Sequence, residues 1–275
     1  MASLPPIDVP KGATGAGAFD PRAERHDHPV FDYLLRLGDD SLILGQRLGE
    51  WCGHAPSVEV DLSLANIALD LIGQATHFLN HAGEVEGQGR DGDALAFHRD
   101  VLAYRNCLLV EQPNGDFAQT MARQFLFSTW QKLLFEHLTG STNEFIAAVA
   151  AKAVKEVAYH QELSAEWVIR LGDGTDESRR RMIDGLDWNW RFIPELFDMD
   201  EVAREMADRG IGVDVTAFRG DYDRKLRAVL DEAGLEAPQD QRPILGGRDG
   251  HHSEHLGHLL AAMQHIPRSY PDATW

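Results

Sequence analysis

The sequence predicts an all-α fold, a bundle of long antiparallel helices followed by shorter helices. Apolar residues recur with the helical period over several long segments, and clusters of Gly, Pro and Asn separate these segments. No segment shows the alternation of apolar and polar residues that indicates a strand. Residues 1–28 are rich in Pro and Gly, so we expect a disordered N-terminal tail followed by one helical domain over residues 29–275.

The helical period and the turn residues give an expected order of elements. The second predicted helix is apolar over most of its circumference, so it should be largely buried. Gly38, Gly45 and Gly49 lie in the first predicted helix and would permit the close approach of another helix. Pro194 should bend or end the helix that contains it. The predicted helices span residues 30–50, 57 or 61–81, 94–111, 116–138, 145–171, 175–197, 200–209, 215–233 and 251–266, with loops over residues 83–92 and 234–250.

Charge and cysteine content exclude several functional classes. The formal net charge of -18 comes from 44 acidic and 26 basic residues, and it would repel nucleic-acid phosphates and anionic membranes. No segment is long and apolar enough to predict a membrane span. Cys52 and Cys107 are too few for a disulfide framework. We therefore expect a cytoplasmic protein that binds neither nucleic acid nor a membrane.

The helix predicted over residues 145–171 contains the most informative histidine. His160 falls on the apolar stripe of this helix, which is where helical bundles place cofactor ligands. Carboxylate-bridged di-iron bundles carry a Glu three residues before such a His, but the residue here is Val157. Valine cannot bind iron. The alternative role for His160 is that of a core histidine with a carboxylate or carbonyl partner.

A second incomplete ligand pair lies on the helix predicted before residue 81. Asp70 and the position three residues later reproduce the spacing of a di-iron helix, but Gly73 occupies the place of the His. Asn66 and His77 share this face, so the stripe is equally consistent with a solvent-facing or hydrogen-bonded edge. Asp70, Gly73, Val157 and His160 are thus the positions of a degenerate di-iron site, for which we expect neither catalysis nor metal binding.

The segment from His251 to His258 contains four histidines. Of all segments in the chain, it most closely resembles a metal-binding sequence. His251 with His255, or Glu254 with His258, could share a helix face. The segment lacks the Glu of the zinc metalloprotease pattern, because His252 follows His251. Surface histidines at the start of a helix explain it equally well, so both a structural metal and a metal-free helix remain open.

Several segments resemble the C subunit of the multicomponent phenylacetyl-CoA epoxidase. The similarity extends over most of the chain from Leu34 onward and does not include the first 33 residues. The matching segments are LGDDSLILGQRLGEWCGHAP at 37–56, ANIALDLIGQA at 65–75, LLVEQPNGDFAQTMARQF at 108–125, KAVKEVAYH at 152–160, RLGDGTD at 170–176, SEHLGHLLAAMQ at 253–264 and the final Trp275.

This resemblance implies a ferritin-like fold and a non-catalytic subunit of a monooxygenase complex. It also implies a homologous A subunit that carries the di-iron centre, further subunits of the complex, and no cofactor in this chain. An isolated chain could form a homo-oligomer. The competing hypothesis is that this chain is itself a metal-dependent oxygenase, with Asp70, His160 and other carboxylates as an atypical ligand set.

Overall fold

The computed structural model describes residues 28–239, 241–270 and 273, and these residues form helices and connecting loops without any strand. Single 3-10 turns at Val101–Ala103, Ile193–Phe197, Val215–Phe218 and Gly247–Asp249 lie between the helices. The α-helices are α1 (Pro29–Gly49), α2 (Val58–Glu86), α3 (Gly92–Phe97), α4 (Leu108–Glu111), α5 (Phe117–Leu138), α6 (Glu144–Gly172), α7 (Asp176–Trp190), α8 (Glu201–Asp208), α9 (Arg219–Glu232), α10 (Glu254–Met263) and α11 (His265–Ser269).

The two longest hairpins of the chain, α1 with α2 and α5 with α6, form a four-helix bundle. Ser57, Asp116 and Asn143 each accept a hydrogen bond from a backbone N–H in the first turn of α2, α5 or α6, which fixes where these helices begin. Helix α2 packs on α6 as well as on α1, so the two hairpins share one core. Helix α7 then packs along α5 and α6.

Helix α1 lies in the middle of the molecule and is buried along nearly its whole length. Its charged side chains are paired with residues far along the chain. Asp40 binds Arg248 through two hydrogen bonds of 2.7 and 2.9 Å, and Asp39 binds Arg99, with one of the two hydrogen bonds 3.0 Å long. Because a buried charge without a partner is costly, these pairs fix the segments around Arg99 and Arg248 against the bundle.

Two of the three glycines of α1 permit the close approach of another helix, as predicted, and that helix is α2 of the same chain. A side-chain carbon added at Gly45 would lie 3.1 Å from the side chain of Ile72 and 3.2 Å from the carbonyl oxygen of Ala68, both on α2. Gly38 similarly approaches Leu79 of α2, whereas Gly49 has no atom within 4 Å of that added carbon. Gly38 and Gly45 therefore serve the close packing of α1 on α2.

Three predicted helices differ substantially from the structure. The helix predicted over residues 94–111 is broken into α3, a 3-10 turn and α4, with extended segments between them. Helix α2 continues to Glu86 through the predicted loop, and α7 ends at Trp190, before Pro194. In addition, α2 is less buried than predicted, because one of its faces is exposed to solvent.

The tail predicted over residues 1–28 lies almost entirely outside the described residues. His28 is described, and its imidazole accepts a hydrogen bond from the backbone N–H of Phe31 at the start of α1. The remaining helices are close to their predictions. The last predicted helix, over residues 251–266, begins later, at Glu254, and is followed by the separate short helix α11.

Candidate functional site

Helices α2 and α6 bring Asp70 and His160 together near the centre of the bundle. The distance from His160 Nε2 to Asp70 Oδ2 is 3.1 Å. The His160 side chain is fully buried, and the Asp70 side chain is 36% exposed. Because the carboxylate accepts a hydrogen bond, Nε2 carries the proton of the imidazole. The other ring nitrogen, Nδ1, is buried and has no hydrogen-bond partner.

The other two degenerate positions have no metal ligand to offer. Val157 lies one turn before His160 on α6 and is fully buried in the hydrophobic core. Gly73 lies one turn after Asp70 on α2, and no atom stands within 4 Å of a side-chain carbon added there. Gly73 and Asp70 line a surface groove of about 100 Å³ between α2 and α6. Asn66 and His77 lie on the exposed side of α2, as a solvent-facing edge requires.

Three neutral side chains, from α1, α2 and α5, form a buried hydrogen-bonded group in the bundle. Gln131 of α5 donates to Gln74 of α2 over 3.2 Å, and Ser41 of α1 lies 3.5 Å from the same oxygen of Gln74. Gln74 in turn donates to the carboxylate of Glu156 on α6 over 3.1 Å. Three of the four bundle helices thus contribute an amide or a hydroxyl at this level, where a di-iron bundle uses carboxylates.

These residues do not fit a di-iron centre. Such a centre holds its two metals with bridging carboxylates and a histidine for each. Here Asp70 and His160 hydrogen-bond to each other, and Glu156 accepts a hydrogen bond from an amide. Among the described residues, no group of three or more His, Cys, Asp or Glu side chains could hold a metal ion. The expectation that this chain binds no metal follows from this donor set and remains to be measured.

In the histidine-rich segment, His252 is a buried hydrogen-bond partner of Glu111, and the described residues contain no complete ligand cluster. Because α10 begins at Glu254, His251 lies outside the helix and cannot share a helix face with His255. His252 Nδ1 lies 2.7 Å from a carboxylate oxygen of Glu111, and Nε2 lies 3.1 Å from the carbonyl oxygen of Tyr104. His252 therefore anchors the start of α10 to the core.

Two buried glutamates play a structural role that the sequence did not indicate. Glu111 accepts a hydrogen bond from the backbone N–H of Ser253 in addition to its contact with His252. Glu195 accepts backbone N–H groups of Leu108, Gly246 and Gly247 over 2.6–3.0 Å. Burial raises the pKa of the Glu195 carboxyl, although these hydrogen bonds act in the opposite direction. No local sequence pattern distinguishes these glutamates, because their partners lie far away along the chain.

The arrangement of the helices defines the class of protein, and comparison with known proteins defines the family. The two antiparallel hairpins form a ferritin-like helical bundle, as the resemblance implied. The chain belongs to the phenylacetic acid catabolic protein family, whose model matches residues 16–275.

A bacterial relative is similar to this chain over most of its length. The chain is 49% identical over 243 residues to the C subunit of the 1,2-phenylacetyl-CoA epoxidase of Escherichia coli (strain K12). The aligned region covers 88% of this chain and 98% of that relative. The resemblance to C subunits is therefore confirmed. None of the described helices is both long and apolar enough to cross a membrane.

Proposed function

We propose that this chain is a structural, non-catalytic subunit of a phenylacetyl-CoA epoxidase complex in aerobic phenylacetate degradation. It binds and stabilises a ferritin-like A subunit that carries the di-iron centre. The proposed location is the cytoplasm, with the other subunits of the complex as further partners.

The observation that carries this proposal is the chemistry of the bundle centre. Val157 and Gly73 supply no ligand, and the polar side chains that join α1, α2 and α5 in the core are the amides of Gln74 and Gln131 and the hydroxyl of Ser41. Amide and hydroxyl groups hydrogen-bond well in a core but do not balance the charge of two iron ions. A chain with this centre keeps the shape of a catalytic subunit without its ligands, which suits a role as a scaffold.

The relative's name supports membership in a complex. That protein is called a subunit of the epoxidase, so it acts together with other chains. The identity of 49% extends over nearly the whole of that relative, which favours the same kind of assembly here.

One observation favours the alternative that the chain is itself a metal-dependent oxygenase. Asp70 is partly exposed beside the groove at Gly73, and its partner His160 has a second, unpartnered ring nitrogen in the core. One carboxylate and one imidazole can begin a metal site. They do not complete one without further ligands, so we place this function second.

Co-expression with the A subunit tests the proposal. Size-exclusion chromatography with mass measurement at micromolar concentration should show one species that contains both chains. A matched sample of each chain alone gives the reference masses and reveals any homo-oligomer. If the two chains elute separately, the scaffold role has no mechanism and the proposal fails.

A further inference from the structure

The outer face of α2 exposes three large aliphatic side chains in one row. Val58 is 72% exposed, Leu62 is 60% exposed and Leu69 is 69% exposed. At about 100° per residue, all three point within about 40° of one another, over a length of about 16 Å. A surface helix normally presents polar residues on the side opposite the core, so within the described part of the chain this row is an apolar face without a packing partner.

The spacing of the row is that of a helix–helix seam. Val58, Leu62 and Leu69 are separated by four and seven residues, and Ala65 fills the intermediate position. Apolar residues that alternate in steps of four and three align along one line of a helix, and a second helix packs on such a line at a small crossing angle. The face is thus shaped for a helix.

The charges beside the row argue against a second copy of this chain. Helix α2 contains Glu59, Asp61 and Asp70 near the row, and it contains no Lys or Arg. Two copies of this face would place acidic side chains against one another, which is unfavourable. The complementary surface is an apolar helix row flanked by Lys or Arg.

The groove at Gly73 continues the row towards the candidate site. Leu69, Asp70 and Gly73 line its α2 wall, and Lys152 and Glu156 of α6 line the other. Lys152 lies 4.0 Å from Glu156, so this pair balances its own charge. The groove can receive a side chain of a helix that packs along the row.

We infer that the α2 surface, from Val58 to Leu69 with the groove at Gly73, is the docking surface for a helix of the A subunit with an apolar row flanked by basic residues. This inference rests on the proposed function. It goes further because it names the face and the chemistry of the partner helix. Since a stable interface buries roughly 1,600 Å², the row forms the apolar centre of a larger contact.

Binding of the purified A subunit to variants of the full chain tests this surface. We expect the double variant Leu62→Arg/Leu69→Arg to bind at least about tenfold more weakly than the unchanged chain, because it places positive charge in the apolar centre. The matched control is Ile183→Arg, which changes a 47% exposed side chain on α7 and should leave the affinity unchanged. Leu62→Ala/Leu69→Ala removes the aliphatic side chains without adding charge, and it should also weaken binding. This second variant keeps the test valid if the arginine variant does not fold.

A salt series tests the predicted charge of the partner. Affinity for the A subunit should fall by about threefold or more between about 0.05 and 0.5 M NaCl, since salt screens pairs between acidic and basic side chains. Glu59→Gln should reduce this dependence. An affinity that does not respond to salt would overturn the inference of a basic partner helix.

The remaining outcomes separate the inference from the proposed function. If the unchanged chain binds the A subunit and both double variants bind equally well, this surface is wrong and the scaffold role stands. If the isolated chain forms a dimer that Leu62→Arg/Leu69→Arg dissociates, while binding of the A subunit is unaffected, a second copy occupies the surface and the inference fails. If the unchanged chain binds no A subunit, the proposed function fails first.

Discussion

His160 Nε2 lies 3.1 Å from Asp70 Oδ2, and this contact joins α6 to α2 where a ferritin-like enzyme would hold metal. In this chain the same two residue types form a hydrogen bond across the helix interface. We expect a structural role for this contact, because the imidazole is fully buried and a buried polar group needs such a partner.

The first prediction concerns the stability that this contact provides. His160→Ala should lower the free energy of unfolding by about 2–4 kcal/mol, because it leaves a cavity and removes a buried hydrogen bond. Thermal unfolding of the isolated chain measures this. The control is His77→Ala, because His77 is an exposed residue that lines the groove between α2 and α6 beside Asp70. This change should alter the free energy of unfolding by less than about 0.5 kcal/mol. Turnover of the assembled complex should survive both changes at permissive temperature. Unchanged stability together with abolished turnover would contradict a structural role for His160.

The second prediction concerns the packing of α1 on α2. Gly45→Leu should destabilise the isolated chain by about 1–3 kcal/mol or more, because the new side chain would collide with Ile72 and with the backbone at Ala68. Denaturant unfolding of the isolated chain gives the value. Gly49→Leu is the control, since no atom lies within 4 Å of an added side-chain carbon at Gly49. If Gly45→Leu keeps full stability and instead prevents binding of the A subunit, Gly45 belongs to an external interface.

The third prediction concerns pH. Burial alone would raise the pKa of Asp200, but two hydrogen bonds of 2.7 and 2.9 Å from Arg36 and the charge of that guanidinium hold the pKa below its usual 3.8. A carboxyl whose pKa is lower in the folded state stabilises the fold above its unfolded pKa. That contribution is lost as pH falls through the folded pKa.

Asp200→Asn isolates this contribution, because Asn keeps the side-chain cap at the start of α8 and loses the charge. We expect a loss of about 1–3 kcal/mol at pH 7, shrinking towards zero as pH falls below about 3.8. Urea unfolding at a series of pH values provides the measurement. Asp223→Asn is the control, because the side chains of Asp223 and its partner Arg219 are 40% and 44% exposed, so solvent weakens this pair. A difference between the unchanged chain and Asp200→Asn that stays constant down to about pH 3 would refute the assignment.

The long helices could be predicted from the sequence because their periodicity reflects one buried face. The buried stripe of α6, which includes Val157, His160 and Ser164, follows the helical period as expected. The break within residues 94–111 could not be predicted from local sequence. There Asp39 and Asp40 of α1 accept the backbone N–H groups of Arg105 and Cys107, so tertiary contacts replace the helical hydrogen bonds.

Glycine also misled the prediction of where α2 ends. A side-chain carbon at Gly83 would lie 1.9 Å from the carbonyl oxygen of Arg90, so this glycine admits the returning chain and does not interrupt the helix. The left-handed residue that ends α2 is Gly87, with φ of 68°. Sequence alone does not distinguish these two uses of glycine, because the difference lies in what packs against each residue.

The candidate site was predictable only in part. The spacing rules identified Asp70, Gly73, Val157 and His160, because ligands on one helix face recur every three or four residues. The rules could not identify Gln74 and Gln131, since a glutamine that hydrogen-bonds across a core has no sequence signature. Nor could they indicate that Asp70 and His160 would contact each other across two helices.

The most direct test of the account is the iron content of the isolated chain. The full chain is loaded with ferrous iron without oxygen, freed of unbound metal and analysed for iron, with the A subunit treated in parallel as the positive control. Val157 and Gly73 remove one anionic and one imidazole ligand, and bridging carboxylates are required to hold both metals. The account predicts far less than one iron per chain, against about two for the A subunit. Close to two irons in this chain would contradict a non-catalytic role and favour the oxygenase alternative.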